Sequence, residues 1–292
     1  MEAAPSVSPA IFAHRGASGD RPEHSRAAYL QAIAQGADGI ETDIRATADG
    51  ALVCWHDHTI DRVTGRGGVV ADLALAEMRA LVPGGPRQLV TLAELLDILL
   101  TAGRPMRLAL EIKQPSPSGA ALDEGILTAL DEAGWDPGTG LLSRTGGGSV
   151  SIDIMCFWPA TVAALRGRVG PGLVMLLVDD EETEDDLVAW VQRETGGRVD
   201  EAGARVEVRE AARLRDELLG DDTVGLGPGM ALVRRDPELV HGWAATRPVR
   251  VWTVNRTDDA RACLAAGVRE LTTDHPGRLR ADLAPTARTP SP

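Results

Sequence analysis

Residues 106–113 read Met-Arg-Leu-Ala-Leu-Glu-Ile-Lys, an apolar run of strand length that is closed by a glutamate and a lysine. The same pattern, an apolar run interrupted or closed by charged residues, recurs at Ala10–His14 and at Gly39–Asp43. Apart from those charges, each run has the composition of a strand buried on both faces, as in a parallel sheet. These stretches therefore predict strands of a buried sheet with polar groups at their ends.

Similar runs recur along most of the chain and alternate with amphipathic, helical stretches. The predicted strands are Ala10–His14, Gly39–Asp43, Met106–Lys113, Val150–Phe157, Leu173–Val178, Thr223–Gly227, Val249–Val254 and Glu270–Thr273. The predicted helices are Arg26–Gln35, Leu92–Thr101, Leu122–Ala133, Ala160–Arg166, Asp186–Glu194, Pro237–Ala245 and Asp258–Ala266. Eight strands alternating with helices predict a (β/α)₈ (TIM) barrel, which typically needs ~250 residues.

A ninth apolar run, Ala51–Trp55, follows the second strand after a short segment that contains Asp49-Gly50. A parallel crossover needs a dozen residues or more, whereas an Asp-Gly turn suits a hairpin. We therefore expect an antiparallel strand in a small insertion over about residues 44–90. The insertion should end at a helix that begins at Leu92 and is capped by Thr91, and His56 should reach the barrel from above.

Composition narrows the partners and the location. The net charge of −13 argues against nucleic acid and anionic membranes as partners, and 43% hydrophobic residues can fill one core. Three scattered cysteines, no evident signal peptide and no transmembrane run favour a cytoplasmic protein. We expect one barrel over residues 10–282, between disordered termini at 1–9 and 283–292. The oligomeric state is left open.

The charged residues gather at one rim if the barrel forms, because parallel strands all point their C-terminal ends the same way. They are His14, Arg15, Glu41, Asp43, Glu111 and Lys113. A structural salt bridge could explain any one pair, but poorly explains six groups from three strands. Unpaired buried carboxylates are costly, and a hard divalent cation with oxygen ligands would neutralise them. His14 and His56 could then supply acid–base chemistry near neutral pH.

The chain resembles the glycerophosphodiester phosphodiesterase family over His14 to Pro276. The motifs that carry the resemblance are His14-Arg15-Gly16, Pro22-Glu23, Gly36-Ala37-Asp38-Gly39-Ile40-Glu41-Thr42-Asp43, Thr47-Ala48-Asp49-Gly50, His56-Asp57, Glu111-Ile112-Lys113, Phe157-Trp158-Pro159, Trp252-Thr253-Val254-Asn255 and Thr272-Thr273-Asp274-His275-Pro276. Each motif is short, but their order and spacing together are specific.

The resemblance implies a TIM barrel with a small insertion, a divalent ion (Mg²⁺ or Ca²⁺) and hydrolysis of glycerophosphodiesters to sn-glycerol 3-phosphate and an alcohol. Carried over by position, the metal ligands would be Glu41, Asp43 and Glu111. The general acid–base pair would be His14 and His56. Arg15 and Lys113 would hold the phosphate, and Trp252 would line the pocket near the alcohol part of the substrate. Trp252 could also be an ordinary core aromatic.

One departure from the family pattern is His24, which stands where members commonly carry asparagine. We expect it to disturb the hydrogen bonds around Glu23 and the shape of the pocket more than the catalytic pair. Which histidine is the acid is left open by the sequence. So is the choice between direct attack by water and a cyclic phosphate formed by a neighbouring hydroxyl.

Two other functions fit the same barrel. A lysophospholipase D or sphingomyelinase D type of phosphodiesterase would need an exposed apolar face at the barrel mouth for an acyl chain. A non-catalytic barrel that binds phosphodiesters or a protein would be favoured if a metal ligand or a histidine were missing. None is missing, so the enzyme remains the leading prediction.

Overall fold

The computed structural model describes residues 8–85, 88–179 and 183–284. The strands are β1 (Ala10–His14), β2 (Gly39–Ala46), β3 (Leu52–Cys54), β4 (Met106–Ile112), β5 (Leu141–Ser143), β6 (Ser149–Cys156), β7 (Val174–Val178), β8 (Gly225–Pro228), β9 (Arg250–Val251) and β10 (Glu270–Thr273). The helices are α1 (Arg26–Ala34), α2 (Asp61–Thr64), α3 (Leu75–Leu81), α4 (Leu92–Leu100), α5 (Ala120–Ala133), α6 (Pro159–Leu165), α7 (Glu184–Glu194), α8 (Glu201–Leu219), α9 (Met230–Arg235), α10 (Pro237–Thr246), α11 (Thr257–Ala265) and α12 (Pro276–Leu283), with a 3-10 turn at Val70–Asp72.

Eight of these strands form the predicted parallel barrel, in the order β8-β7-β6-β4-β2-β1-β10-β9. The two ends of this series meet through parallel bridges between Leu226 and Val249 and between Gly229 and Trp252. Hydrogen bonds from Leu226 N to Pro248 O (3.0 Å) and from Trp252 N to Pro228 O (3.2 Å) close the seam. The TIM-barrel prediction is therefore confirmed.

Side chains that point into the barrel alternate with side chains that point to the helices, as the period of two requires. The middle of the barrel is filled by a buried apolar cluster of Phe12, Ala109, Met155, Met175 and Leu177. Polar side chains occupy the two ends of the barrel instead. One of these ends, where the strands finish, carries the predicted site.

The predicted hairpin is also confirmed. β3 pairs antiparallel with the end of β2, with Ile44 opposite Cys54, and it leads into the insertion that holds α2 and α3. α4 begins at Leu92, and Thr91 caps it: the Thr91 hydroxyl accepts from Glu94 N (3.3 Å), and Thr91 N donates to the Glu94 carboxylate (2.9 Å). This capping box fixes where the chain returns to the barrel.

The longest helix was not predicted. Residues 196–220 are rich in charge and suggest a peripheral segment, yet α8 runs for 19 residues and packs on α7 and α6. Its buried face is narrow (Ala204, Val208, Ala211 and Leu218), so the apolar signal is weak among many charged residues. The crossover from β7 to β8 thus contains two helices, and these form a wall beside the barrel mouth.

Several terminal predictions fall outside the described residues. The disorder predicted for 1–9 and 283–292 concerns mainly residues 1–7 and 285–292, which lie outside the described residues, while α12 continues to Leu283.

The acidic run at 179–186 lies partly outside the described residues. Its described end caps α7, since Thr183 accepts from Asp186 N (3.2 Å). Among the described helices, none combines the length and the apolar character that a bilayer span requires.

Candidate active site

A cavity of about 280 Å³ lies at the C-terminal end of the barrel strands. We call it the central cavity. Six of the eight predicted site residues line it: His14, Arg15, Glu41, His56, Glu111 and Trp252. The other two, Asp43 and Lys113, contact members of this group. The structure therefore brings the predicted residues together.

Strand register explains the convergence of the carboxylates. β1, β2 and β4 are neighbours, and His14 lies beside Glu41 while Asp43 lies beside Glu111. Because alternate residues share a face, Glu41 and Asp43 both project from β2 towards the same rim. His56 arrives from the insertion, just after β3, as the hairpin predicts.

The three carboxylates form a compact, buried cluster. One oxygen each from Glu41, Asp43 and Glu111 can be chosen so that all lie within 4.8 Å of one another. Burial and the neighbouring Asp43 raise the pKa of Glu41 well above its usual value, and burial also raises the pKa of Glu111. A further positive charge beside these carboxylates would favour their ionised forms and lower both pKa values.

Two cations already contact the cluster. Arg15 Nε lies 3.1 Å from Asp43 Oδ2, and Lys113 Nζ lies 2.7 Å from Glu111 Oε1 and 3.4 Å from Asp43 Oδ1. Burial favours the neutral form of Asp43, but Lys113 and Arg15 hold its pKa well below the usual value. When all three carboxylates are ionised, as metal ligands must be, the two cations leave a net negative charge, which would repel a phosphodiester.

The donor set fits a hard divalent cation. Asp43 Oδ1 is buried and, apart from the ion-pair contact with Lys113 Nζ at 3.4 Å, accepts no hydrogen bond from the described residues. An acceptor left in this way has a free lone pair for a metal, and all-oxygen sites suit Mg²⁺ and Ca²⁺. A doubly charged ion would also turn the local charge positive, which matches a singly charged phosphodiester.

His24 contacts this cluster directly, which corrects the expectation that it acts mainly around Glu23. Its Nε2–H donates to Asp43 Oδ2 (2.8 Å), and its Nδ1 accepts from the Tyr29 hydroxyl (2.9 Å). Burial lowers the pKa of His24, so the neutral ring suits this donor–acceptor pair. His24 thus orients one proposed ligand, a task that the sequence pattern did not reveal.

His14 is held by an aspartate from the far end of the chain. Nδ1–H of His14 donates to Asp274 Oδ1 (2.7 Å), and Nε2 points towards Glu41, 3.9 Å from Oε2. Asp274 in turn accepts from Ser18 Oγ (2.9 Å) and Asn255 Nδ2 (2.5 Å). The sequence assigned Asp274 no role, although it belongs to the motif at residues 272–276. Its place just after β10, two residues beyond Thr272, was the available signal.

His56 has a different partner. Its Nδ1–H donates to Asp57 Oδ1 (2.8 Å), while Asp57 Oδ2 accepts from Arg62 Nε (2.6 Å). Arg62 belongs to α2 and also binds both carboxylate oxygens of Glu23 (2.6 and 3.0 Å). Burial lowers the pKa of His56. The insertion is thereby tied to the loop between β1 and α1 through Arg62, which sequence reasoning missed.

Trp252 lines the central cavity together with Phe157. Their rings meet edge to face, with centroids 5.3 Å apart, and Trp252 Nε1–H donates to Gly227 O (2.7 Å). The indole nitrogen is therefore engaged by the backbone. Only an apolar ring surface is presented to a ligand, as a pocket-lining role requires.

Comparison with known proteins identifies the same family that the sequence motifs resemble. The model of the glycerophosphoryl diester phosphodiesterase family matches residues 14–278. A probable glycerophosphodiester phosphodiesterase 1 of Mycobacterium tuberculosis (strain CDC 1551 / Oshkosh) is 31% identical over 286 residues, which covers 94% of this chain and 92% of that protein.

Solved structures share the barrel. The glycerophosphodiester phosphodiesterase of Thermotoga maritima superposes with a TM-score of 0.65 at 18% identity, over 94% of this chain and 98% of that one. A phosphodiesterase of Oleispira antarctica, in complex with its product sn-glycerol-3-phosphate, gives a TM-score of 0.64 at 19% identity, over 95% and 98%. At these identities the likeness concerns the fold.

Proposed function

Because the chain belongs to the glycerophosphoryl diester phosphodiesterase family, we propose that it hydrolyses glycerophosphodiesters to sn-glycerol 3-phosphate and an alcohol. The observation that carries the proposal is the meeting of two carboxylate-held histidines and a buried carboxylate cluster in one cavity. The Oleispira relative, whose product is sn-glycerol 3-phosphate, supports the choice of product.

The metal would be held by Glu41, Asp43 and Glu111, and it would be Mg²⁺ or Ca²⁺. When bound, such an ion supplies positive charge beside the phosphate oxygens and so stabilises the charge that builds up during displacement. Arg15 and Lys113 flank the same carboxylates and would bind the remaining phosphate oxygens. His24 would keep the Asp43 carboxylate in place.

We assign His56 as the general base and His14 as the general acid. The charge of Asp57 is offset by Arg62, and the lowered pKa of His56 favours a neutral ring that can accept a proton at Nε2. Asp274, which is itself held by Ser18 and Asn255, accepts Nδ1–H of His14, so that Nε2 of this ring points towards Glu41 and the central cavity. His14 Nε2–H can then protonate the leaving alkoxide, which is otherwise a poor leaving group.

Trp252 would pack on the organic part of the substrate inside the central cavity. The nucleophile is water or a neighbouring hydroxyl of the substrate, and either would lose its proton to His56. A cytoplasmic location is supported by three cysteines, Cys54, Cys156 and Cys263, which are all free and buried. A non-catalytic barrel gains no support, because each of the eight predicted residues lies in or beside the cavity.

The test is release of glycerol 3-phosphate from glycerophosphocholine, with Mg²⁺ or Ca²⁺ and again with EDTA. We expect EDTA to abolish release and the ion to restore it. His14→Ala and His56→Ala should each lower kcat by about 10²–10⁴-fold while circular dichroism stays unchanged. His241→Ala, an exposed histidine on α10, is the matched control and should keep its activity. Parental turnover in either cavity variant would remove that histidine from the proposed pair.

A further inference from the structure

Behind the carboxylate cluster, hydrogen bonds join four side chains that we call the Tyr29 network: Asp43, His24, Tyr29 and Thr42. Tyr29 lies on α1, and Thr42 lies on β2 between two of the proposed metal ligands. The Tyr29 hydroxyl is 2.9 Å from His24 Nδ1 and 2.9 Å from Thr42 Oγ1. Tyr29 and Thr42 are fully buried, and His24 is only 4% exposed. These polar groups must therefore satisfy one another.

The ionised Asp43 carboxylate sets the direction of each hydrogen bond in the network. A carboxylate only accepts, so His24 Nε2 carries the proton that is donated to Asp43 Oδ2 (2.8 Å). In the neutral ring that burial favours, Nδ1 is then an acceptor, and the Tyr29 hydroxyl must donate to it. The oxygen of Tyr29 accepts from Thr42 in turn. The ring of His24 is thus held at both nitrogens.

The hydroxyl of Tyr29 has no equal substitute in this network. Without it, His24 Nδ1 keeps Thr42 Oγ1 as a neighbour at 3.4 Å, which is too long for a strong hydrogen bond. A buried acceptor without a good donor is costly, so the ring would turn away from its present orientation or exchange its tautomer. Either change weakens the bond from Nε2–H to Asp43.

The bond from His24 matters because it distinguishes the two oxygens of Asp43. Oδ2 receives His24 Nε2–H and lies 3.1 Å from Arg15 Nε, whereas Oδ1 contacts only Lys113 Nζ, at 3.4 Å. The carboxylate is therefore oriented with Oδ2 towards the protein donors. Oδ1 stays available on the side of the other two carboxylates, where an ion would bind.

We propose that Tyr29 is a positioning residue for the divalent ion, on which it acts through His24 and Asp43 although it does not line the central cavity. This inference rests on the proposed function, because it takes Asp43 as a ligand of the ion. Loss of a hydrogen-bond partner behind a metal ligand typically weakens metal binding by about 10–100-fold. Tyr29 acts one step further away and through a bond between neutral groups, so its effect should be smaller.

Tyr29→Phe tests the proposal, because it removes the hydroxyl and keeps the ring. Kd for Mg²⁺ and for Ca²⁺ is measured by calorimetry on ion-free protein. We expect Kd for the ion that the parental protein binds to rise by about two- to tenfold. Thr195→Val, which removes a buried hydroxyl just after α7, is the matched control and should keep the parental Kd. An unchanged Kd in Tyr29→Phe would overturn the proposal.

His24→Asn separates positioning from packing. Asparagine tolerates the left-handed backbone at this position (φ +55°) and places its amide oxygen near the position of Nδ1, so it can still accept from Tyr29. It has no atom at the position of Nε2 and does not reach Asp43. In this background Tyr29→Phe should leave Kd unchanged. If Tyr29→Phe raises Kd equally in both backgrounds, the hydroxyl acts through packing and the proposal fails.

A spectroscopic readout is available because Tyr29 is the only tyrosine of the chain. In protein labelled with ¹³C at tyrosine Cζ, a single resonance reports on the hydrogen bonds of this hydroxyl. Addition of the ion should move the resonance in the parental protein and leave it nearly unmoved in His24→Asn. This measurement stands even if Tyr29→Phe does not fold. A resonance that moves equally in both proteins, or in neither, would contradict coupling through His24.

Neither readout requires turnover, so this inference and the proposed function can fail separately. A parental protein that binds the ion but does not hydrolyse glycerophosphocholine would refute the function, while the comparison of Kd values would still decide the role of Tyr29. Ion-dependent hydrolysis with the same Kd in Tyr29→Phe would refute this inference alone. A parental protein that binds neither ion would refute both the metal site and the role of Tyr29.

Discussion

Asp274 is a single residue that positions a proposed catalytic group, His14. Its carboxylate accepts Nδ1–H of His14 and is itself held by Ser18 and Asn255, so it fixes the orientation of the imidazole ring. Burial raises the pKa of an isolated carboxyl, but the contact with His14 and the two neutral donors hold the pKa of Asp274 well below the usual value. The residue is therefore ionised throughout the neutral range.

Replacement of Asp274 by asparagine is expected to lower kcat by about 10²–10⁴-fold without unfolding the protein, because an amide cannot supply the charge and can hold the wrong tautomer. The measurement is kcat and KM at neutral pH, with circular dichroism to show that the variant is folded. Ser18→Ala, which removes one donor but leaves the carboxylate, should cost less than about tenfold. Equal effects of the two changes would argue against a positioning role.

The contact between His24 and Asp43 could not be predicted from the sequence, whereas the other site residues could. Glu41, Asp43, Glu111 and the two cavity histidines were predicted because charge interrupts an apolar strand, which is a local signal. The contact between His24 and Asp43 depends instead on how the loop before α1 folds back, with His24 itself at φ +55°. Residues in this left-handed region are uncommon outside glycine, and no local pattern announces them.

At the scale of elements, α2 contributes to the site through the side chain of Arg62. Arg62 bridges Asp57, the partner of His56, to Glu23 in the loop between β1 and α1. Half of its side chain is exposed, so the ion pairs add little to stability. Their effect is to hold the insertion over the barrel and to offset the charge that His56 meets at Asp57.

Arg62→Gln should therefore leave the melting temperature nearly unchanged but lower kcat by about 10–100-fold, because His56 loses its fixed position. It should also move the acid limb of the pH profile upwards. Without Arg62 the Asp57 anion acts on His56 unopposed and raises its pKa, and a base works only above its own pKa. Arg66→Gln, in the same insertion, is the control. A drop in rate with no shift of the acid limb would refute the electrostatic part of this role.

Some elements of secondary structure are easier to predict from sequence than others. The hairpin of β2 and β3 and the start of α4 were predicted because Asp49-Gly50 and Thr91 are strong local signals. α8 was missed because only four of its 19 residues are buried, in a helix that is otherwise rich in charged side chains. Its position beside the barrel mouth follows from its packing against α7 and α6, contacts that no local sequence pattern encodes.

At the scale of the whole molecule, the barrel has two polar ends separated by an apolar middle. The site occupies the C-terminal end, and a buried ion network occupies the other end around Arg250, a residue that also lines the central cavity. Its guanidinium binds both oxygens of Asp153 (2.7 and 2.8 Å) and Glu270 Oε2 (2.8 Å), and it stacks 3.8 Å from the ring centroid of Phe12. Arg107 completes the network with Glu270 (2.6 Å).

This network joins β4, β6, β9 and β10, strands that are far apart in the sequence, and includes β9, the short strand at the seam. Burial favours the neutral form of Glu270, but Arg250 and Arg107 lower its pKa below the usual value. The stabilisation that the ionised Glu270 provides is thus fully present above the pKa of about 4.3 that a glutamate has in the unfolded chain. It is lost as the pH falls below that value.

Arg250→Met should consequently destabilise the protein by about 3–5 kcal/mol at pH 7, since it leaves Asp153 and Glu270 buried without their main partner. The loss should shrink at pH 4, where protonation removes the unpaired charge in the variant while it weakens the network in the parental protein. Urea unfolding at the two pH values measures both effects. Arg144→Met, which breaks an exposed pair with Asp97, should cost less than about 1 kcal/mol at either pH. A loss for Arg250→Met that is equally small, or independent of pH, would show that packing rather than charge closes this end of the barrel.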